Sequence, residues 1–593
     1  WSPYPPGGRS CSPPKNHVHT CSMIGRQPFS PFKARQKALV SKEVEVAHTR
    51  LLIVTSLALS CFILVAARLI DVTVLAATNP KDTKHFIGKA AYDLERGNIY
   101  DRNGWLLATS LDSFSLYANP KIISDTENTI SRLIKILPEL DAKELRDRFD
   151  QKQGFFWIKR QLTPQQKYAI NRLGIPGLDF KTEKKRLYPA GSLTSHVVGF
   201  TDIDNRGLAG IERKFDAQLS SPAASPKHLS IDIRVQHVMQ TALAKAVQKF
   251  NAIGGAGLVM NAMTGEVISM VSLPEFNPND VSAEDGKARF NKATLGVYEM
   301  GSTFKIFTAA MALDSGKISM RSGYDATHPI RMGRFLIRDY HAKKRWLSVP
   351  EIFIYSSNIG SVKMAMDVGG NTQRAFLKKL GLLNKSPLEL EEISAPIVPQ
   401  RWRDVNTMTI AFGHGMAVSP IQITSAVAAM VNGGTFHAPT LIRKTGAPSG
   451  RRVISTKTSD EIRRLLRLVV SQGTGSKAEA HGYLVGGKTG TAEKVVGNRY
   501  KQKALMSSFV AAFPMNSPRY VVFVMVDEPI GNKESQGYAT GGWVAAPVVS
   551  EVIKRIGPLL GVQPVNYSDP SVRNDLAINV LTIKSGKKSL ASF

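Results

Sequence analysis

Ser302-Thr303-Phe304-Lys305 opens the apolar run Ile306-Phe307-Thr308-Ala309-Ala310-Met311-Ala312-Leu313, which stops before Gly316. A run this long and this uniformly apolar reads as a buried helix beginning near Ser302. Spacing of three then puts the serine hydroxyl and the lysine amine on one face, a turn apart. The helix N-terminus also favours negative charge developing beside it. A hydroxyl is a weak nucleophile at neutral pH and needs a neighbouring base; a desolvated lysine with lowered pKa can serve. The same spacing occurs at Ser12/Lys15, Ser30/Lys33 and Ser585/Lys588, but in polar tails rich in Pro or Lys. Those pairs read as solvated surface, and the apolar setting separates Ser302/Lys305 from them.

Two further elements lie downstream. Tyr355-Ser356-Ser357-Asn358 has the composition of a turn or helix cap, because short hydroxyl and amide side chains bond nearby backbone. Gly486-Gly487-Lys488-Thr489-Gly490-Thr491 leads toward a strand edge, where paired glycines would let substrate backbone approach closely. Lys444-Thr445-Gly446 imitates it, but Ala-Pro-Ser-Gly follows, which is loop composition. His414, in Gly-His-Gly, reads as a strand-edge residue near the cleft. The twelve histidines show no zinc-ligand spacing.

Working outward, Arg234 to Phe250 carries helical spacing, Ala256–Met260 reads as a buried strand, and Thr264-Gly265 turns it into Glu266–Val271. Strands return between Ser508 and Val526, so this part is a sheet with a helical insertion. Before it, Gly97 to Gly104 reads as a strand feeding an Asn-Gly turn. Thr129–Leu137 and Asp141–Phe149 read as helices broken by Pro138. The expected division is a flexible tail at 1–48, an anchor at 49–73, a mixed α/β pedestal at 78–232, the main body at 233–562 and a C-terminal tail at 563–593.

The chain has 593 residues, too many for one ordinary domain, and a formal net charge of +30. No zinc-finger, RNP-type or helix-turn-helix signature accompanies that charge, so nucleic acid is not the expected partner. The cysteines are Cys11, Cys21 and Cys61 alone, so no intramolecular disulfide or thiolate metal site can hold the body together. From Leu51 to Ala67 no charge interrupts an apolar run long enough to span a bilayer with help from its flanks. Lys and Arg far outnumber Glu43 and Glu45 before it, which by the positive-inside rule keeps the tail cytoplasmic and exports the rest. An uncleaved anchor is favoured over a cleaved signal ending near Ala76-Ala77.

Taken in order, Ser-x-x-Lys, Ser-x-Asn and Lys-Thr-Gly form the set of penicillin-binding proteins and class A β-lactamases. The chain resembles class B penicillin-binding proteins further: Arg96 to Gly104, Arg186–Pro189, His196–Gly199 and Gly207–Glu212 look like their pedestal motifs. Tyr298-Glu299, Ser471–Gly475, Asp527–Pro529 and Ala545–Pro547 also fit. Met300 departs from the family, where proline is common; the expectation is a changed turn with unchanged chemistry. The resemblance implies an α+β protein with one transmembrane helix, a pedestal, and an antiparallel sheet with helices on both faces and a helical subdomain.

It further implies a peptidoglycan D,D-transpeptidase without cofactor. Ser302 attacks the penultimate D-alanine of a stem peptide, Lys305 takes its proton, and Ser356 relays a proton to the leaving amine. Asn358 holds either the donor's amide backbone or the Lys305 side chain, and Lys488 supplies positive potential. Thr489 and Thr491, with Gly490 between them, receive the substrate carboxylate, and the N–H groups of Ser302 and Thr491 form the oxyanion hole. A β-lactamase would need neither pedestal nor anchor. A D-alanyl carboxypeptidase would use water as acceptor, an elongation-type enzyme would share all three motifs, and a silent β-lactam sensor would have lost them. Ser356 to Gly360 looks most like the septal, penicillin-binding protein 3 type. That resemblance implies β-lactam binding, an inner-membrane location and contact with a septal glycosyltransferase and other divisome proteins.

Overall fold

The computed structural model describes residues 32–70 and 96–578, apart from 152–153, 222–223, 283–285, 334, 497–498, 567–568, 571 and 573–575. The chain divides into two compact units, Trp1–Tyr92 and Asp93–Phe593. Cys11, Cys21, residues 71–73 of the expected anchor and the start of the expected pedestal lie outside the described residues.

In the first unit a single helix, α1 (Phe32–Ile70), contains the stretch Thr49–Ala67 with mean hydropathy 2.2, long and apolar enough to cross a membrane. The side chains of Thr49–Ala67 are exposed. The helix starts well inside the segment expected to be a flexible tail. The Pro and Gly of that tail end at Pro31, and Phe32–His48 holds mostly Ala, Lys, Glu, Gln and Val, so helix propensity prevails there.

Among the described residues the second unit holds two five-stranded sheets and three two-stranded ones. The first contains β1 (Ile99–Tyr100), β2 (Leu106–Ala118), β3 (Phe156–Leu162), β4 (Leu178–Leu187) and β5 (Lys227–His228). The long β2 pairs antiparallel with β1, β3 and β4, and β1 pairs parallel with β5. Helices α2 (Thr126–Ile136) and α3 (Ala142–Asp150) start where the Asp125 and Asp141 carboxylates accept from the first-turn N–H groups. Ile130, Leu133, Leu145 and Phe149 from these helices pack on Leu116 and Ala118 at the far end of β2, forming a small core of their own. At the other end, Ile99, Leu107 and Ala108 join Ile211, Leu229 and the main core. The pedestal therefore has one independent end and one end fused to the body.

The body begins with α4 (Ile233–Lys249), capped by Asp232. Its sheet runs β8-β9-β10-β6-β7, every pair antiparallel, from β6 (Gly254–Asn261), β7 (Val267–Leu273), β8 (Gly486–Val496), β9 (Arg499–Phe513) and β10 (Tyr520–Asp527). Both faces are apolar, so β10 lacks polar alternation: Val522, Val524 and Val526 face α4 and α10 (Gly541–Leu559). Val521, Phe523 and Met525 face the opposite layer. That layer includes α5 (Lys305–Asp314), α6 (Asn358–Val368), α7 (Gly370–Lys379), α8 (Pro420–Val431) and α9 (Thr456–Gln472). β9 starts earlier than its apolar part, because Arg499–Lys503 extends the hairpin past the sheet. After α10 the chain stays on the body. Val565 N–H donates to Gly482 O (2.7 Å), and Val572, Leu576 and Ile578 pack on the main core.

Candidate active site

Three segments converge where α5 meets the edge strand β8. Gly301–Phe304 forms a 3₁₀ turn and the α-helix proper begins at Lys305, slightly later than the apolar run indicates. Met300, buried in the core, closes that turn by accepting from Thr303 Oγ1 (2.9 Å). Methionine in place of proline thus leaves the turn formed. Gly301 has φ +53°, and a Cβ there would sit 2.5 Å from Thr491 O, so only glycine lets the nucleophile turn press on β8. Gly490 does the same from the strand side, since its Cβ would lie 2.7 Å from Met300 O. The backbones of Ser302 and Thr491 are thereby brought side by side.

The second segment caps α6. Ser357 Oγ accepts from Gly360 N–H (3.0 Å), so the cap reading of this sequence holds for Ser357. Ser356 sits at φ +55°, a backbone region that is costly for a residue with a side chain. Its hydroxyl is at the centre of a chain of polar contacts. Lys305 Nζ donates to Ser356 Oγ (3.1 Å), Ser356 O (2.5 Å) and Asn358 Oδ1 (2.7 Å). Lys488 Nζ donates to Ser356 Oγ from the other side (2.9 Å). Of the two contacts weighed for Asn358, the one with the Lys305 side chain is present. Thr489 Oγ1 lies 3.1 Å from Thr474 Oγ1, and Thr491 Oγ1 accepts from Gly541 N–H (3.1 Å).

Both amines are almost completely buried, at 2% exposure for Lys305 and 0% for Lys488. Burial, the repulsion of Lys488 and only partial relief from Asp339 hold the Lys305 amine well below the usual lysine range. Burial lowers Lys488 to about 7. Of the two amines bridged by one hydroxyl, Lys305 is the one lowered both by burial and by its neighbour's charge. A lysine whose pKa is lowered in this way is the kind of group that can serve a serine nucleophile as base.

Two family descriptions match this chain. The family "Penicillin binding protein transpeptidase domain" matches residues 255–554, and "Penicillin-binding Protein dimerisation domain" matches residues 93–224. The chain is 41% identical over 484 residues to the probable peptidoglycan D,D-transpeptidase FtsI of Caulobacter vibrioides, covering 79% of this chain and 82% of that one. It is 30% identical over 519 residues to the peptidoglycan D,D-transpeptidase FtsI of Escherichia coli K12, covering 82% and 87%. The chain belongs to the class B penicillin-binding proteins of the FtsI type. Its fold is shared with penicillin-binding protein 3 of Mycobacterium tuberculosis, complexed with aztreonam, at a TM-score of 0.63 and 24% identity over 79% of this chain and 97% of that one.

Three groups at this penicillin-binding site have surroundings that the motifs do not indicate. Asp339 accepts from Ser357 Oγ (2.7 Å), Asn358 N–H (2.6 Å) and Ile359 N–H (3.0 Å), fixing the second segment. An isolated aspartate in Arg-Asp-Tyr gives no sequence signal for this. Thr474 belongs to a quoted motif but was given no contact with Thr489. His414 is half-buried in a loop and not at a strand edge: glycines on both sides adopt positive φ, which regular strand pairing disfavours. Burial and then Lys305 lower its pKa. A Cβ on Gly413 would lie 2.0 Å from Gly301 O, so this loop backs the nucleophile turn. The paired glycines Gly486 and Gly487 face the protein's own side chains, against Met515 and the Phe509 ring, and not a substrate backbone. Lys444 is in a loop, with Nζ on Thr264 O (2.8 Å).

Proposed function

We propose that this chain is a peptidoglycan D,D-transpeptidase acting in septal wall synthesis through an acyl-enzyme on Ser302. The observation that carries this reading is the Lys305 amine. It is buried, lacks a carboxylate at ion-pair distance among the described residues, and is bonded to a hydroxyl shared with a second buried amine. Lys305 takes the proton of Ser302 as Oγ attacks the penultimate D-alanine carbonyl of a donor stem peptide. The oxyanion forms against the N–H groups of Ser302 and Thr491. The C–N bond breaks, Ser356 passes a proton to the leaving amine, and terminal D-alanine departs. An amine of a neighbouring stem peptide then attacks the ester, forming the crosslink and returning the proton to Ser302. Asn358 orients Lys305, Lys488 keeps the site electropositive, and Thr489, Gly490 and Thr491 receive the substrate carboxylate.

The proposed organisation is a cytoplasmic tail at 1–48, an anchor at 49–73, a pedestal at 78–232 and a transpeptidase domain at 233–562, with 563–593 beyond it. The basic residues before the apolar stretch favour a cytoplasmic N-terminus and an exported body. The resemblance to FtsI supports a septal glycosyltransferase as partner. The test is to label the full chain in detergent with a fluorescent penicillin and map the adduct by peptide mass spectrometry. Stoichiometric label on Ser302, absent in Ser302→Ala, is the expected result. No label on protein shown to be folded would overturn it.

A further inference from the structure

Helix α7 packs Phe376 and Leu377 against Phe304, Phe307 and Met311 of the nucleophile segment. Its other side borders a cavity of about 570 Å³ outside the catalytic site. That volume lies within the roughly 300–1,000 Å³ of small-molecule sites. Leu380, Pro387, Phe436 and Pro439 form apolar wall, and Lys378, Lys379, Lys385 and Arg451 supply cations; no Asp or Glu lines it. A second cavity of about 400 Å³ shares Ala375, Lys378 and Asn384 and adds Arg374 and Trp402, again with no acidic lining.

The carbonyl end of α7 accounts for Lys378 and Lys379, since cations are favourable there. It does not account for Lys385 or Arg451, which come from separate segments. Arg451 is held in place, donating to Lys379 O with its guanidinium 5.4 Å from the centre of the Phe436 ring. Lys378, Lys379 and Lys385 form no ion pair among the described residues. The wall also holds Ser386, 7% exposed, whose buried hydroxyl has no hydrogen-bond partner. A buried polar group left so is unfavourable until something bonds it.

We infer that this basin binds a small amphiphilic anion: one carboxylate, sulfonate or phosphate group joined to an apolar body. The anion meets Lys378 and Lys385, the body lies on Phe436 and Pro439, and Ser386 gains a partner as its loop adjusts. The inference is independent of the chemistry at Ser302.

The test is a calorimetric titration of the full chain in zwitterionic nanodiscs with naphthalene-2-sulfonate, subtracting empty discs. Saturable binding at one site is expected, about fivefold tighter than for neutral naphthalene-2-sulfonamide and weakened by added salt. The exposed pair Lys378→Glu/Lys385→Glu should weaken it about tenfold while penicillin labelling continues, showing an intact fold. Ser386→Ala should weaken it about threefold without lowering Tm. No saturable binding, equal affinity for the sulfonamide, or unchanged affinity in the double variant would overturn the inference.

Discussion

Two groups of buried cations occupy this molecule under opposite arrangements. At the fused end of the pedestal, Arg96 and Arg186 enclose Glu212, with Nε atoms 2.6 and 2.7 Å from its two carboxylate oxygens. Arg96 reaches Asp216 as well (2.7 Å), and Arg186 donates to Gly97 O (2.8 Å). Burial pulls the Arg96 guanidinium down, and Glu212 and Asp216 more than restore it, so it stands above its ordinary value. In the cleft, Lys305 and Lys488 meet neutral acceptors and each other, and both are pushed down. The residue types suit the two jobs. A guanidinium keeps its charge and spreads it over fixed donors, whereas an ammonium releases its proton when desolvated. Pairing buried charge locks an architecture; leaving it without a carboxylate makes a proton available.

The contrast can be broken first at the cleft. Lys305→Met keeps the length of the side chain and removes the base. Acylation by penicillin should fall by about 10²–10⁴-fold, the range for losing a general base. Tm should hold or rise, because a group that is costly to bury is gone. Stopped-flow labelling and thermal unfolding together decide it. A large loss of Tm with little loss of rate would reverse the roles assigned to the two clusters.

At the pedestal the expected effect is on folding. Glu212→Gln leaves two arginines, each at most 5% exposed, with only Asp216 as carboxylate. Breaking a buried pair by removing one partner costs about 3–5 kcal/mol. Denaturant unfolding should show that loss, while the protein that remains folded acylates at close to the wild-type rate. Slowed acylation at full stability would mean that the pedestal network acts on the cleft.

Much of this was legible in the sequence because the decisive residues are neighbours along the chain. Ser302 and Lys305 are three apart, Ser356 and Asn358 two apart, and Lys488 to Thr491 contiguous, so spacing alone placed each on its element. The pedestal helices were legible for the same reason, though Asp141, counted as the first helical residue, is the cap before its helix. The unread parts depend on tertiary approach. Asp339 acts through three donors from another segment, and His414 follows Gly413, whose missing side chain clears the nucleophile turn. Gly486 and Gly487 were misread because sequence shows that a side chain is missing but not what fills the space.

Asp339 gives the finest adjustment of the comparison, because it is the carboxylate the cleft keeps at one remove from its lysine. It raises the Lys305 pKa against the larger lowering by burial and by Lys488. Asp339→Asn removes that charge, so the protonated form of Lys305 loses support and its pKa falls further. Acylation needs the neutral amine, so its rate drops tenfold per pH unit on the acid side. That limb should move to lower pH in the variant. At neutral pH the rate should fall only about fivefold, the effect of one weakened hydrogen bond at the Ser357–Asn358 turn. The measurement is the pH profile of the second-order acylation rate. A limb displaced to higher pH would show that Asp339 does not act on Lys305 through its charge. An undisplaced limb with the same fivefold loss would reduce Asp339 to holding the turn.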